Sequence, residues 1–147
     1  MIRLLEIADI PLVNNLINDN NYLVNEYELN KNAKVYIKNN QIVAFISFTI
    51  MYERAELNYI FVDNNFRNQG VASILMEDMI NDCQNNNVKT IDLEVNSLNE
   101  KAIKLYNKYG FEIINTRKKY YNGIDGLLML KEIRWKIERY IYIRDWK

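Results

Sequence analysis

A chain of 147 residues, 49% of them hydrophobic, suits one domain around one continuous core. Lys plus Arg balances Asp plus Glu at 19 each, which gives no whole-surface charge for nucleic acid, and no apolar run nears the roughly 20 residues of a membrane helix. One cysteine, Cys83, excludes an internal disulfide and an all-cysteine metal site, and the lack of histidine leaves a metal-free chemistry of carboxylates, tyrosines and backbone amides.

Met1-Ile2-Arg3-Leu4-Leu5-Glu6 is broken by charges and lacks a small-residue cleavage site, so no secretory signal is expected and a cytoplasmic location is. Asp9-Ile10-Pro11 predicts a helix start, a capping carboxylate followed by proline in the first turn, with Ile10, Val13, Leu16 and Ile17 at helical spacing. Residues 18–32 are polar and irregular, a short helix or loops that offer Tyr22 and Tyr27. Residues 34–37 and 42–52 read as strands around the turn Lys38-Asn39-Asn40-Gln41, and 57–62 as a third strand. A loop over 63–69 leads to Gly70 and a helix whose buried stripe is Val71, Leu75, Met79 and Cys83, with Ile74 beside it. Residues 90–95 alternate, Ile91, Leu93 and Val95 against Asp92 and Glu94. Ser97-Leu98-Asn99-Glu100 fits a capping box for a helix carrying Ala102, Ile103, Leu105 and Tyr106, and Gly110 suits its left-handed end. Residues 111–116 and 127–131 read as strands around a turn over 122–126.

The order is strand, helix, strand, helix, strand after an antiparallel start, a mixed α/β sheet with helices on both faces. The domain is expected over 1–131. The extension 132–147 mixes Trp135, Ile137, Tyr140 and Trp146 with charges at no clear period, and suits a homodimer contact, a lid or plain packing.

Arg67-Asn68-Gln69-Gly70-Val71-Ala72-Ser73 joins a strand to a helix N-terminus. About four amides of a helix's first turn lack partners and carry roughly half a positive charge, which suits a pyrophosphate. Gly70, one of only four glycines, and the small Ala72 leave room for phosphate oxygens. Taken alone, this stretch fits a purely structural helix start equally well.

Arg67-x-x-Gly70-x-Ala72 matches the Arg/Gln-x-x-Gly-x-Gly/Ala signature of the GNAT superfamily of N-acetyltransferases. The run from Leu93-Glu94-Val95-Asn96 through Asn99, Tyr106 and Gly110-Phe111, with Arg117-Lys118-Lys119-Tyr120-Tyr121 after it, resembles the bacterial ribosomal-protein-alanine N-acetyltransferases. The resemblance covers residues 57–130, about half the chain. It implies the GNAT fold, a mostly antiparallel sheet with a central parallel pair, and acetyl-CoA as co-substrate. Ile60, Phe61 and Val62 would meet the pantetheine arm, and the amides of Arg67, Asn68, Gln69, Gly70, Val71, Ala72 and Ser73 the pyrophosphate. Asn99 would also contact the cofactor, Glu94 would be the general base and Tyr106 the general acid. Upstream of Leu57 the likeness thins, because the family's longer aromatic-rich second helical region is replaced by the short 18–32 segment.

Acetyl transfer from a thioester needs a neutral amine, stabilisation of the developing charge and a leaving thiolate. Asn99 and Tyr106 lie two helical turns apart on one face, about 10 Å along the axis, so one meets mid-pantetheine while the other reaches the sulfur. A phenol of pKa about 10 is a weak acid for a thiolate whose thiol has pKa about 8.5, so Tyr106 is expected to stabilise by hydrogen bonding as much as by proton transfer. Tyr106 also fits a structural place among eleven tyrosines, and Glu94 a solvated strand end. At pH 7 roughly a tenth of an α-amine of pKa about 8 is neutral, against a few parts in ten thousand for lysine. A lone carboxylate base therefore favours a protein N-terminus. Cys83, on the buried stripe, reads as core, which points to direct transfer rather than an acyl-enzyme. Tyr120 and Tyr121 are candidates for the acceptor groove. The acceptor is expected to be a protein N-terminal amine such as a ribosomal protein's, with a small amine or a non-catalytic CoA-binding module as alternatives; neither nucleic acid nor membrane is expected as a partner.

Overall fold

The computed structural model describes residues 1–19 and 21–133. Its elements run β1 (Ile2–Leu4), α1 (Ile10–Ile17), β2 (Asn32–Lys38), β3 (Gln41–Met51), β4 (Arg54–Val62), α2 (Val71–Asn85), β5 (Thr90–Asn96), α3 (Glu100–Lys108), β6 (Glu112–Tyr121) and β7 (Ile124–Glu132), with 3-10 turns at Ile7–Asp9, Glu26–Asn30 and Asn64–Phe66. The seven strands form one sheet in the order β1-β2-β3-β4-β5-β7-β6. Every neighbouring pair is antiparallel except β4 and β5. The mixed sheet with its one parallel pair is the architecture the sequence implied.

Residues 43–48 of β3 are buried on both faces, as expected of a central strand. Ala44, Ile46 and Phe48 face α2, whose Val71, Leu75, Met76, Met79 and Cys83 fill the larger core with Ile91, Leu93 and Val95 of β5. Phe45 faces the other way, into a smaller cluster with Val13 and Ile17 of α1. Helices thus cover both faces. Ile74, expected beside the buried stripe, is instead 39% exposed; the stripe turns through Met76.

Two hairpins are closed by two-residue loops with both residues left-handed, the arrangement whose twist matches the strands. Asn39 and Asn40 (φ 53° and 60°) join β2 to β3, and Asn122 and Gly123 (φ 46° and 89°) join β6 to β7. The second turn is shorter than expected, since residues 124–126 already belong to β7. Of the expected extension 132–147, Glu132 ends strand β7 and Ile133 is buried in the larger core, while residues 134–147 lie outside the described residues. Strand β1, too short to show a period in the sequence, is an edge strand on β2.

Asp9 does not cap α1 through its side chain. Its carboxylate accepts from Arg3 at 2.6 and 3.0 Å and from the Glu6 amide at 2.8 Å, so it ties β1 to the α1 entry. The Arg3 guanidinium, despite burial, holds this carboxyl below its usual range. A depressed carboxyl contributes stability that is complete above its unfolded pKa of about 3.9 and is lost as pH falls through the lower folded value. Asp9→Asn is expected to cost about 1–3 kcal/mol at pH 7, and urea denaturation should show this penalty shrinking once the pH drops below about 4.

Candidate active site

Parallel pairing of β4 with β5 covers only Arg54–Thr90, Ala55–Ile91 and Glu56–Asp92 among the described residues. Beyond Glu56 the strands diverge. The cause is local: Ser47 pairs with Tyr59 but Phe48 with Leu57, which leaves Asn58 as an extra residue in β4. Such a bulge bends its strand and sharpens the twist. Asn58 Nδ2 donates to Thr49 Oγ1 at 2.9 Å, which pins the bulge to β3. The separation opens a cleft of about 1440 Å³ between the end of β4 and the end of β5, walled by Leu57, Ile60, Val62, Leu93, Val95 and Tyr106 among others. Along β4 the backbone groups facing this gap lose the strand partner that Arg54, Ala55 and Glu56 have.

The loop after β4 ends at the N-terminus of α2. Arg67, 67–73 being the stretch singled out for anion binding, turns its side chain back: Nε donates to the Val62 carbonyl at 2.9 Å and the guanidinium sits 5.6 Å from the Phe61 ring centre. Asn68 (φ 61°) and Gly70 (φ 78°) are both left-handed, and a Cβ built on Gly70 meets nothing within 4 Å. Gly70 is therefore required by its backbone angle rather than by crowding. Its carbonyl accepts the first helical bond, from Ile74 at 3.0 Å. The amides of Val71, Ala72 and Ser73 have no carbonyl one turn back to donate to, and all three residues line the cleft with Asn68. Gln69 turns away, with Oε1 accepting from Lys38 Nζ at 2.8 Å.

Helix α3 starts later than the Ser97 capping box predicts. Asn99 is the N-cap, its Oδ1 accepting from the Ala102 amide at 3.2 Å, while the Ser97 amide is spent on the Asp125 carbonyl at 2.9 Å. Asparagine serves as well as serine here because either side chain offers an oxygen to the free N–H groups. Gly110 (φ 88°) ends the helix, and the Phe111 amide returns to the Tyr106 carbonyl at 3.0 Å. Tyr106 is 7% exposed, tilted against Phe111 with ring centres 5.9 Å apart. Burial pushes its phenol up to about 12.

Leu93 and Val95 point into the core beneath α2, so strand alternation sends Glu94 to the opposite face of the sheet. Its side chain is 21% exposed, with Oε2 3.5 Å from Arg117 Nε on β6. Glu94 Oε1 is buried with no hydrogen-bond partner among the described residues. Such an oxygen is costly unless something donates to it. Arg117 also lies 5.0 Å from the Tyr120 ring centre. Tyr120 reaches the cleft wall, and Tyr121 closes β6 by pairing with Ile124.

On the same face as α1 stands a wall that the sequence only half disclosed. Tyr22 stacks on Tyr59, ring centres 4.2 Å apart and 16° between planes. Tyr22 donates to Glu28 Oε1 at 2.7 Å, Ser47 donates to Glu28 Oε2 at 2.6 Å, and Tyr59 donates to Asp19 Oδ2 at 3.1 Å. Burial, more than the neighbouring carboxylates, raises both phenols. Residues 18–32 thus carry a buried carboxylate, Glu28, that locks the tyrosine pair. Periodicity could not reveal Tyr59, because the bulge at Asn58 reverses which residues face which side. Cys83 lies under α2 in the core, where burial pushes its thiol up to about 12.

A sheet split beside its one parallel pair, with a glycine-led helix at the end of the split, defines the N-acyltransferase fold class. The profile of the Acetyltransferase (GNAT) family matches residues 4–111, and the chain belongs to that family. It is 34% identical over 89 residues to the ribosomal protein bS18-alanine N-acetyltransferase of Escherichia coli strain K12, covering 60% of each chain. Over 62 residues it is 53% identical to the L-amino acid N-acetyltransferase AaaT of the same strain, covering 42% of this chain and 38% of that protein. The matched stretches thus span less than two thirds of these relatives. The crystal structure of the Escherichia coli ribosomal-protein-alanine N-acetyltransferase superposes with a TM-score of 0.81 at 26% identity, over 90% of this chain and 93% of that one.

Gly70→Ala forces a Cβ into the left-handed region, at about 1–2 kcal/mol. Thermal unfolding should register that loss, and calorimetry should find acetyl-CoA binding weakened. Unchanged values for both would mean that the turn does not need its glycine.

Proposed function

We propose that this chain is an acetyl-CoA-dependent N-acetyltransferase that passes the acetyl group directly to a primary amine, the α-amine of a protein N-terminus such as that of a ribosomal protein. The observation that carries the reading is the buried, unpartnered Glu94 Oε1 at the mouth of a cleft whose other wall holds Tyr106. The residues fit the cofactor on three counts. Amides of Val71, Ala72 and Ser73 without a partner among the described residues suit its pyrophosphate, the open edge of β4 at Ile60, Phe61 and Val62 suits the amides of its pantetheine arm, and Asn99 lies beside the cleft, its Nδ2 without a partner among the described residues. When bound, acetyl-CoA supplies the activated thioester.

The acceptor amine approaches from the α1 face, between the Tyr22–Tyr59 wall and Glu94. An ammonium donating to Glu94 Oε1 satisfies the buried oxygen, and proton loss to this carboxylate leaves the amine nucleophilic. With the thioester bound, attack by the neutral amine would form the C–N bond and release the thiolate, which would take the amine's second proton, while the Tyr106 hydroxyl would donate to that sulfur from the opposite side of the sheet. A phenol raised to about 12 remains protonated throughout the working range, so Tyr106 stabilises the thiolate mainly as a hydrogen-bond donor. Cys83 takes no part.

The local match to an L-amino acid N-acetyltransferase favours a second reading, in which the acceptor is a free amino acid or another small amine. Thioester consumption with a panel of peptides and amino acids separates the two; turnover confined to small amines supports the second. Under the first, mass spectrometry of a deletion strain shows an N-terminal acetyl group missing, and an unchanged set of N-termini counts against it.

Glu94→Gln should lower kcat by about 10²–10⁴ and Tyr106→Phe by about 10², each with acetyl-CoA affinity held within about twofold. Steady-state kinetics with calorimetry checks both. Parent-like turnover in either variant removes that residue from the mechanism.

A further inference from the structure

Helix α3 carries Lys101, Lys104 and Lys108 at spacings of three and four, which puts them along one side of the helix. All three are exposed and all three line the cleft. None forms an ion pair with a carboxylate among the described residues, although the chain has as many acidic as basic residues to offer. By contrast Lys34 pairs with two carboxylates, and Arg54 and Arg117 with one each. The position of this ridge is fixed at one end. Lys108 Nζ donates to Ser73 Oγ at 3.2 Å and lies 5.5 Å from the Tyr109 ring centre, while the Tyr109 hydroxyl donates to the Ser73 carbonyl at 3.3 Å. Ser73 belongs to the first turn of α2. The ridge therefore abuts the free amides of that turn, and Tyr106 lies round the other side of α3.

Those amides and their half charge are matched to a pyrophosphate, whose oxygens need many N–H donors and little extra charge. A row of flexible ammonium groups that starts at Lys108, beside this turn, and runs back along α3 suits something different: a compact, doubly ionisable phosphomonoester, which a point charge on a mobile stem neutralises well. Coenzyme A carries one such group, the 3′-phosphate of its ribose, next to the pyrophosphate.

We propose that Lys101, Lys104 and Lys108 form a phosphomonoester subsite that reads the 3′-phosphate of coenzyme A and so distinguishes it from the 3′-dephospho form. This rests on the acetyl-CoA reading of the cleft. The lysines act on affinity, with no part in the transfer itself. Because the side chains are exposed, the interaction weakens as salt rises.

Calorimetry on the full chain with coenzyme A and with 3′-dephospho-coenzyme A tests it at low ionic strength. The parent should bind coenzyme A at least about tenfold more tightly than the dephospho form. The triple variant K101A/K104A/K108A should bind both equally, with dephospho affinity within about twofold of the parent, and the triple arginine variant should restore the preference. Equal binding of the two ligands by the parent overturns the subsite. So does a triple variant that weakens both alike, which would assign the lysines to the pyrophosphate. Failure of the parent to bind either ligand is a separate result that overturns the cofactor reading, and the subsite with it.

Discussion

Three residue pairs, Arg54–Thr90 to Glu56–Asp92, hold the two halves of the sheet together at its centre, and the site depends on their being so few. Had β4 continued in register with β5, its backbone groups would all be paired and no ligand could lie between the strands. The extra residue at Asn58 prevents that. It turns β4 away from β5 while leaving β4 paired with β3 up to Val62. Polar backbone groups without partners are normally avoided inside a sheet. Here they sit on an open cleft, where a ligand rich in amides can take the place of the missing strand.

The split also explains how a carboxylate and a phenol from opposite faces of the sheet come to line one cleft. Glu94 alternates with core residues Leu93 and Val95, so it faces the α1 layer. Tyr106 belongs to the same core as those two residues. The gap is where the two layers communicate. Under the proposed function, an acceptor would enter past Tyr22 and Tyr59 to reach Glu94, and a thioester under α2 and α3 would reach Tyr106. Glu28 supports this from below: it is buried, but two hydroxyls donate to it, and that satisfies the cost of placing a carboxylate under a tyrosine stack.

Much of this was legible in the sequence where local rules act alone. The stripe Val71, Leu75, Met79 and Cys83 gave α2, the alternation of 90–95 gave β5, and Gly70 and Gly110 marked the left-handed ends where no Cβ is wanted. Other features were set by tertiary structure. Asn58 reads as one polar residue in an apolar strand, and only its pairing with β3 turns it into a bulge. Asp9 has the composition of a helix cap but is taken by Arg3, six residues earlier. The cap of α3 fell to Asn99, whose Oδ1 accepts from the Ala102 amide, while the Ser97 amide pairs with Asp125 of β7. Glu94, Asn99, Tyr106 and the loop to Ser73 were singled out by their motif, and the fold lines one cleft with them. The Tyr22–Tyr59 wall was not, since stacking across separate elements leaves no spacing to read.

Amide hydrogen exchange with and without acetyl-CoA tests the central claim most directly, read residue by residue along β4 and into α2. A ligand that replaces the missing strand must slow exchange at Ile60, Val62 and the amides of Val71, Ala72 and Ser73, and leave β2 and β6 as they were. Exchange unchanged at those positions under saturating acetyl-CoA, or slowed only elsewhere on the sheet, would contradict the account.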